Sequence, residues 1–262
     1  MTKDITIGCD PEFVTLDDGE AVNEGYDDDR GNEYIGWDGD LREIRPMYST
    51  DPLKVVYNIK KCMELGAARE PDLLDLSWKA GSYHSDVGAL GGHIHFGARI
   101  PTSYLDRFLA PVVCAIESKD EGESRRSEGY GRLGAASTQD WGIEYRTPGS
   151  WLTSPKVAKG VLCLAKVVGQ AYVDKSLKIL GQPICLTQTD IEVFDIDKIR
   201  AAALSIEATI AALPLYKKYA SHIKFLYKLI RDHKSWFPGG MDMKASWALK
   251  IPEISNKYSF TA

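Results

Sequence analysis

Gly91-Gly92-His93-Ile94-His95-Phe96-Gly97 is the stretch on which the reading of the fold turns. Side chains alternate along a β-strand with a period of two, so a strand here puts both imidazoles on one face. That makes a ready pair of contacts for a metal ion or a phosphate. The flanking glycines carry no side chains and let another backbone or a bulky ligand approach closely. The segment is expected to be the floor of a ligand site. Taken alone, His-x-His also fits the solvated face of an ordinary strand.

Working outward, three other segments repeat a polar pairing at the same spacing. Asp10 and Glu12 flank Pro11 in a strand expected from Ile5 to Leu16, which the turn signal Asp17-Asp18-Gly19 leads towards Ala21 and Val22. Pro11 cannot donate a ladder hydrogen bond, so it belongs at an edge, a bulge or a strand end. Glu43 and Arg45 flank Ile44 in the second arm of a hairpin whose first arm is Tyr34-Ile35-Gly36-Trp37. Glu144 and Arg146 flank Tyr145 in Trp141-Gly142-Ile143-Glu144-Tyr145-Arg146-Thr147-Pro148. A salt-bridging, solvated face is the plain alternative for each pair and carries little energy.

Between and after these strands the periodicity is helical. Ser49-Thr50-Asp51-Pro52 starts a helix that Gly66 is expected to stop. Leu73 to Trp78 reads as a further strand, followed by a loop over Lys79 to Leu90 that holds His84. A helix capped by Thr102 runs towards Ile116, with Pro111 imposing a kink or a late start. Gly25 to Asn32 reads as an acidic loop, and Lys119 to Ser137 as a flexible, charged and glycine-rich loop carrying Arg125, Arg126 and Arg132 towards phosphate. Its Gly129, Gly131 and Gly134 match Gly-x-Gly-x-x-Gly in form only, because no apolar strand precedes them. Further helices are expected from Thr153-Ser154-Pro155 to about Leu180, over Ile196 to Leu213, and from Pro214 to about His233, with His222 and His233 near one face of the last. The aromatics of Trp236-Phe237-Pro238-Gly239-Gly240 are expected to dock on the body.

The chain has 262 residues, 44% hydrophobic and 26% charged, with a net charge of −5, which asks for no nucleic-acid partner. Five cysteines without a Cys-x-x-Cys pair fit a reducing cytoplasm, and no stretch is long and apolar enough to span a bilayer. Residues 1–151 carry every chemical motif; residues 152–262 are expected to be a mainly helical part packed on them in the same domain.

If the four pairs share one concave face, carboxylates from several strands suit hard divalent cations, and the arginines suit phosphate. Metals bridging nucleotide phosphates, with guanidinium groups on the phosphoryl, are the equipment of phosphoryl transfer. There is no Walker lysine loop, which excludes a P-loop.

In this order, Gly-Cys-Asp-Pro-Glu-Phe, Glu-Ile-Arg-Pro, Gly-Gly-His-Ile-His-Phe-Gly and Gly-Ile-Glu-Tyr-Arg-Thr-Pro resemble the carboxylate–amine ligases of the glutamine synthetase-like superfamily. They are most similar to the phage-type COOH-NH2 ligase type 2, or amidoligase, family. The resemblance covers about Gly8 to Trp151. It implies an α+β fold, a glutamine synthetase-like curved antiparallel sheet with flanking helices and a helical C-terminal region. It also implies ATP and magnesium or manganese as cofactors and an amide formed through an acyl phosphate from small-molecule or peptide carboxylate and amine substrates. For a phage-encoded chain the setting is the host cytoplasm. By the same resemblance Asp10, Glu12, Glu43, His93 and Glu144 would hold metal and His95 would lie beside the nucleotide. Arg146 would stabilise the transferring phosphoryl group, with Arg132 a looser match to a phosphate-contacting arginine. Two other classes stay open on the residues: a zinc-dependent hydrolase using His-x-His, and a non-catalytic nucleotide-binding module.

Overall fold

The computed structural model describes residues 4–22, 32–236 and 242–252. In chain order the strands and helices begin with Ile7–Asp17 (β1), Glu20–Ala21 (β2), Ile35–Asp38 (β3), Leu41–Ile44 (β4), Pro52–Arg69 (α1), Ser77–Lys79 (β5), Tyr83–His84 (β6), Gly88–Ala89 (β7) and Gly92–Phe96 (β8). There follow Thr102–Phe108 (α2), Ala110–Cys114 (α3), Lys119–Ser127 (α4), Ala136–Gln139 (β9), Gly142–Tyr145 (β10) and Pro155–Val173 (α5). The chain closes with Gln188–Glu192 (α6), Ile196–Ser205 (α7), Glu207–Ala211 (α8), Tyr216–Arg231 (α9) and Met243–Ser246 (α10). The fold is α+β: a strongly curled antiparallel half-barrel sheet, ordered β3-β4-β1-β8-β10-β9, with helices at its flanks.

β1 is the spine of the sheet because it changes partners along its length. Ile7 to Pro11 pair with β8, Glu12 and Phe13 with β4, and Val14 to Leu16 with β5. Pro11 occupies the last rung of the β8 ladder, inside a central strand, where the ladder ends and no donor is needed. The period of two then sorts the side chains. Ile7, Cys9, Phe13, Ile94, Phe96, Ile143 and Tyr145 enter one buried apolar cluster, while His93 and His95 stay half-buried on the opposite face.

That cluster also takes in α1, α2, α3, α5, α7 and α9 and reaches from Ile5 to Trp247, so the helices of residues 152–252 share the core of the sheet. α5 is buried along most of its length, and its N-terminus is capped by Ser154, whose Oγ accepts from Val157 N. Asp51 caps α1 in the same way through Leu53 N. Each such cap is worth about 0.5–2 kcal/mol. No helix among the described residues is long and apolar enough to cross a membrane.

Several local expectations are corrected. α1 runs through Gly66 to Arg69, because the side chain of Ile35 seats against Gly66, where a Cβ would lie 2.5 Å from Ile35 Cγ1. Packing there offsets the ~1 kcal/mol that a mid-helix glycine costs. Leu73–Trp78 is mostly not a strand: a 3-10 turn spans Pro71–Leu74, and only β5 pairs with β1. The loop over Lys79 to Leu90 contains the β6–β7 hairpin. The helix expected from Thr102 breaks at Leu109, two residues before Pro111, and starts after Pro101 with Thr102 as its first residue.

Lys119 to Ser127 is a helix, with Asp120 and Glu121 in its first turn and Arg125 and Arg126 in its last, both complementing the helix dipole. α5 stops at Val173, short of Leu180; the helix over Ile196 to Leu213 is split at Ile206; and His233 lies beyond the end of α9, 3.3 Å from Arg200 Nη1, so it shares no helix face with His222. Trp236 is buried as expected. Most of the Gly25 to Asn32 loop, and Phe237 to Gly240, lie outside the described residues.

Candidate active site

The strand register assembles the site. Glu12 stands opposite Glu43, Asp10 opposite His93, and His95 is flanked by Gly8 on one side and Glu144 on the other. Directly opposed residues of an antiparallel pair share a face, so the strands β4, β1, β8 and β10 deliver their polar side chains to one concave surface. His93 Nδ1 lies 3.3 Å from Asp10 Oδ1 and 3.5 Å from Glu144 Oε1, and its Nε2 is 3.9 Å from Glu12 Oε1. His95 Nε2 is 3.1 Å from Asp10 Oδ1. Arg146 Nε donates to Glu144 Oε1 at 2.5 Å, and Arg45 Nε to Glu43 Oε1 at 2.9 Å. Glu12 is fixed by the Gly91 amide, which donates to its Oε2.

Crowding of carboxylates sets the electrostatics. Burial pushes Glu12 above the ordinary carboxylate range, against the pull of His93, the Gly91 amide and Arg125. Glu43 is pushed up by burial and by the charge of Asp10, partly countered by Arg45. Burial works against ionisation of Asp10 too, but the close imidazoles of His93 and His95 outweigh it and hold that carboxyl well below its usual range. For His93 burial alone would lower the pKa; its close approach to Asp10 and the charges of Glu12, Asp10 and Glu144 reverse the sign and raise it.

The donor set fits a divalent cation. One ligand atom from each of Asp10, His93 and Glu144 falls within 4.8 Å of the others. Asp10 Oδ1 and His95 Nε2 are buried without a hydrogen-bond partner: their 3.1 Å approach lacks hydrogen-bond alignment. Buried polar atoms left unpaired are costly, and a cation among them would satisfy the oxygens. Two carboxylates and one imidazole suit magnesium or manganese with water or phosphate completing the shell, and they do not by themselves exclude zinc. Glu12 and Glu43 border this trio from the β1–β4 side.

Two cavities flank the cluster. One, of about 440 Å³, is lined by Glu12, His93, Arg125 and Arg146, with Asp38 at the end of β3 and Asp40 in the β3–β4 turn. The other, of about 660 Å³, is lined by Gly8, His95, Tyr48 and Trp141. Arg132 is not among the lining residues of either. It is more than half exposed, and its Nε lies 3.8 Å from Glu192 Oε1.

A second charged network, which the sequence did not signal as a unit, braces the floor. Arg125 and Arg126 are buried on α4 and are not carried on a flexible loop. Glu117 accepts from both terminal nitrogens of Arg126, from Ser82 Oγ at 2.8 Å and from Gly149 N at 3.2 Å. Arg125 donates to the carbonyls of Leu90 at 2.6 Å, Arg146 at 3.3 Å and Pro148 at 3.4 Å. Its pKa is pushed down to about 10 by burial and the neighbouring Arg126. Gly92 completes the brace: Trp151 and the Gly149 carbonyl pack where its Cβ would be, and Trp151 Nε1 donates to its carbonyl at 2.9 Å. Thus β8 is stapled to the segment that follows β10.

A family model described as phage phiEco32-like COOH.NH2 ligase-type 2 matches residues 7–249. No curated protein matches the chain.

Proposed function

Since the chain belongs to the phage phiEco32-like COOH-NH2 ligase-type 2 family, a family of carboxylate–amine ligases, we propose that it uses ATP and a divalent cation to join the two substrates through an acyl phosphate. The observation that carries the proposal is the convergence of Asp10, His93 and Glu144 within 4.8 Å, with Arg146 bonded to Glu144 at the edge of a cavity. We read the curled sheet as glutamine synthetase-like, its concave face being the reaction surface.

A carboxylate is a poor electrophile. In the first step its oxygen attacks the γ-phosphorus of ATP and ADP leaves; in the second the amine nitrogen, losing its proton, attacks the acyl carbon and phosphate leaves with the broken C–O bond. The protein contributes position and charge. Asp10, Glu12, Glu43, His93 and Glu144 hold magnesium or manganese, which when bound neutralises phosphate charge. His95 lies beside the nucleotide. Arg146, held through Nε by Glu144 and half exposed to the cavity, meets the phosphoryl group as it transfers. Arg132 reaches this group only if its contact with Glu192 is exchanged for one with phosphate. Substrates are a small-molecule or peptide acid and amine, and the cytoplasm, the host's for a phage-encoded chain, is the proposed setting.

Incubation with ATP, magnesium, a panel of carboxylates and hydroxylamine tests the route. Hydroxamate and ADP, formed only with metal and an accepted acid, are expected. AMP and pyrophosphate would exclude the acyl phosphate, and amide hydrolysis without ATP would favour a zinc-type hydrolase.

A further inference from the structure

The two cavities beside the cluster differ in what lines them. The smaller is lined by four carboxylates, Glu12, Asp38, Asp40 and Glu128, against two guanidinium groups, Arg125 and Arg146, an excess of negative charge that disfavours a polyanion. The larger has a single acidic lining residue, Asp140, and two large aromatic ones. Tyr48 is 63% exposed and Trp141 48% exposed, although each would lose less to water if packed inside. They come from separate segments, Tyr48 from the connection between β4 and α1 and Trp141 from the turn between β9 and β10. Gly8, which also lines this cavity, lets Tyr48 and His95 come close: a Cβ there would lie 3.3 Å from the Cβ atoms of both. The His95 ring in turn leans on Trp141, with centroids 5.0 Å apart. Tyr48, Trp141 and His95 thus line one cavity, and His95 is the residue that touches Asp10 of the donor cluster.

We infer that Tyr48 and Trp141 are the base-binding residues of this chain: the planar base of the nucleoside triphosphate occupies the larger cavity, and its phosphates run past His95 to the cluster. Aromatic faces bind bases by stacking with little dependence on base identity. This leaves the smaller cavity to the two substrates: Arg146 faces the singly charged carboxylate, and a cationic amine is attracted by the same carboxylates that repel the polyanionic ATP. The inference rests on the proposed use of ATP.

Calorimetric titration of the full chain with magnesium separates the two. The probes are ATP and inorganic tripolyphosphate, and the variants are Trp141→Ala, Trp141→Phe and Tyr48→Ala, each checked by its melting midpoint. Expected are a loss of ATP affinity of roughly tenfold in Trp141→Ala and Tyr48→Ala, near wild-type binding in Trp141→Phe, and unchanged tripolyphosphate binding in all three. ATP bound equally by the wild type and both alanine variants overturns the base assignment while leaving ATP use intact. A wild type that binds neither probe overturns ATP use and the assignment with it. If Trp141→Ala does not fold, quenching of tryptophan emission by ATP, absent with tripolyphosphate, is the expected wild-type result; equal quenching by both overturns the assignment.

Discussion

The donor cluster on the concave face and the Glu117 network beside it are both concentrations of charge in low-dielectric surroundings, and they are built in opposite ways. Glu117, fully buried, has its oxygens filled by Arg126, Ser82 and Gly149, and its pKa is lowered because those partners outweigh the burial that alone would raise it. At the cluster, Glu12 and Glu43 are raised while Asp10 is lowered by its imidazole neighbours, and Asp10 Oδ1 and His95 Nε2 have no hydrogen-bond partner. In the first the carboxylate is fully partnered and the orphan atoms are donors, Arg125 Nε and Arg126 Nε, which no cation can serve; in the second the orphans include a carboxylate oxygen and an imidazole nitrogen, atoms able to ligate a cation. Removing charge should therefore cost stability in the first and cost function in the second.

The largest effect is expected at Glu117. Glu117→Ala leaves buried Arg126 uncompensated and should cost about 3–5 kcal/mol in urea unfolding. The acid limb follows from the lowered folded-state pKa. The stability contributed by this carboxylate is complete above the pKa of the unfolded chain, is lost as pH falls through the lower folded value, and should be missing from the unfolding curve of Glu117→Gln.

Arg146→Ala comes next, with turnover reduced by roughly 3–4 kcal/mol, about a hundredfold to a thousandfold, and ATP affinity much less affected. An equal loss in both would mean that Arg146 binds the ground state. Glu12→Gln sharpens the contrast in the other direction. The raised folded pKa means that ionising Glu12 opposes folding, a cost that begins near the unfolded pKa and is complete above the folded one. Melting at neutral pH should thus be within about 1 kcal/mol of wild type or better, while the affinity for magnesium falls. The smallest effect is expected at His222 on α9: His222→Ala should leave ATP affinity within about 0.5 kcal/mol.

The legible parts of this chain were those that follow a period. β8 alternates in burial, and polar residues two apart in β1 and at the end of β10 follow the same period, so the shared face of Asp10, Glu12, His93, His95 and Glu144 could be read without coordinates. α4 could not: Lys119 to Ser127 has no apolar stripe, and the residues it buries are Gly122, Arg125 and Arg126, held by ionic and carbonyl contacts that no hydrophobic period reports. Glu117 was hidden for the same reason, a lone acid closing the apolar run that ends at Ile116. Gly66 misled because its local preference as a helix stop was overridden by a tertiary contact with Ile35. Tyr48 and Trp141 carried no motif at all, since their relation to Gly8 and His95 exists only after the sheet has curled.

The central claim is that the unsatisfied cluster is a cation site. Anomalous diffraction from crystals soaked in manganese, in the presence of ATP, tests it most directly. A peak is expected within coordination distance of Asp10, His93 and Glu144. A fully soaked crystal with no peak among those three residues, or with its manganese elsewhere, would contradict it.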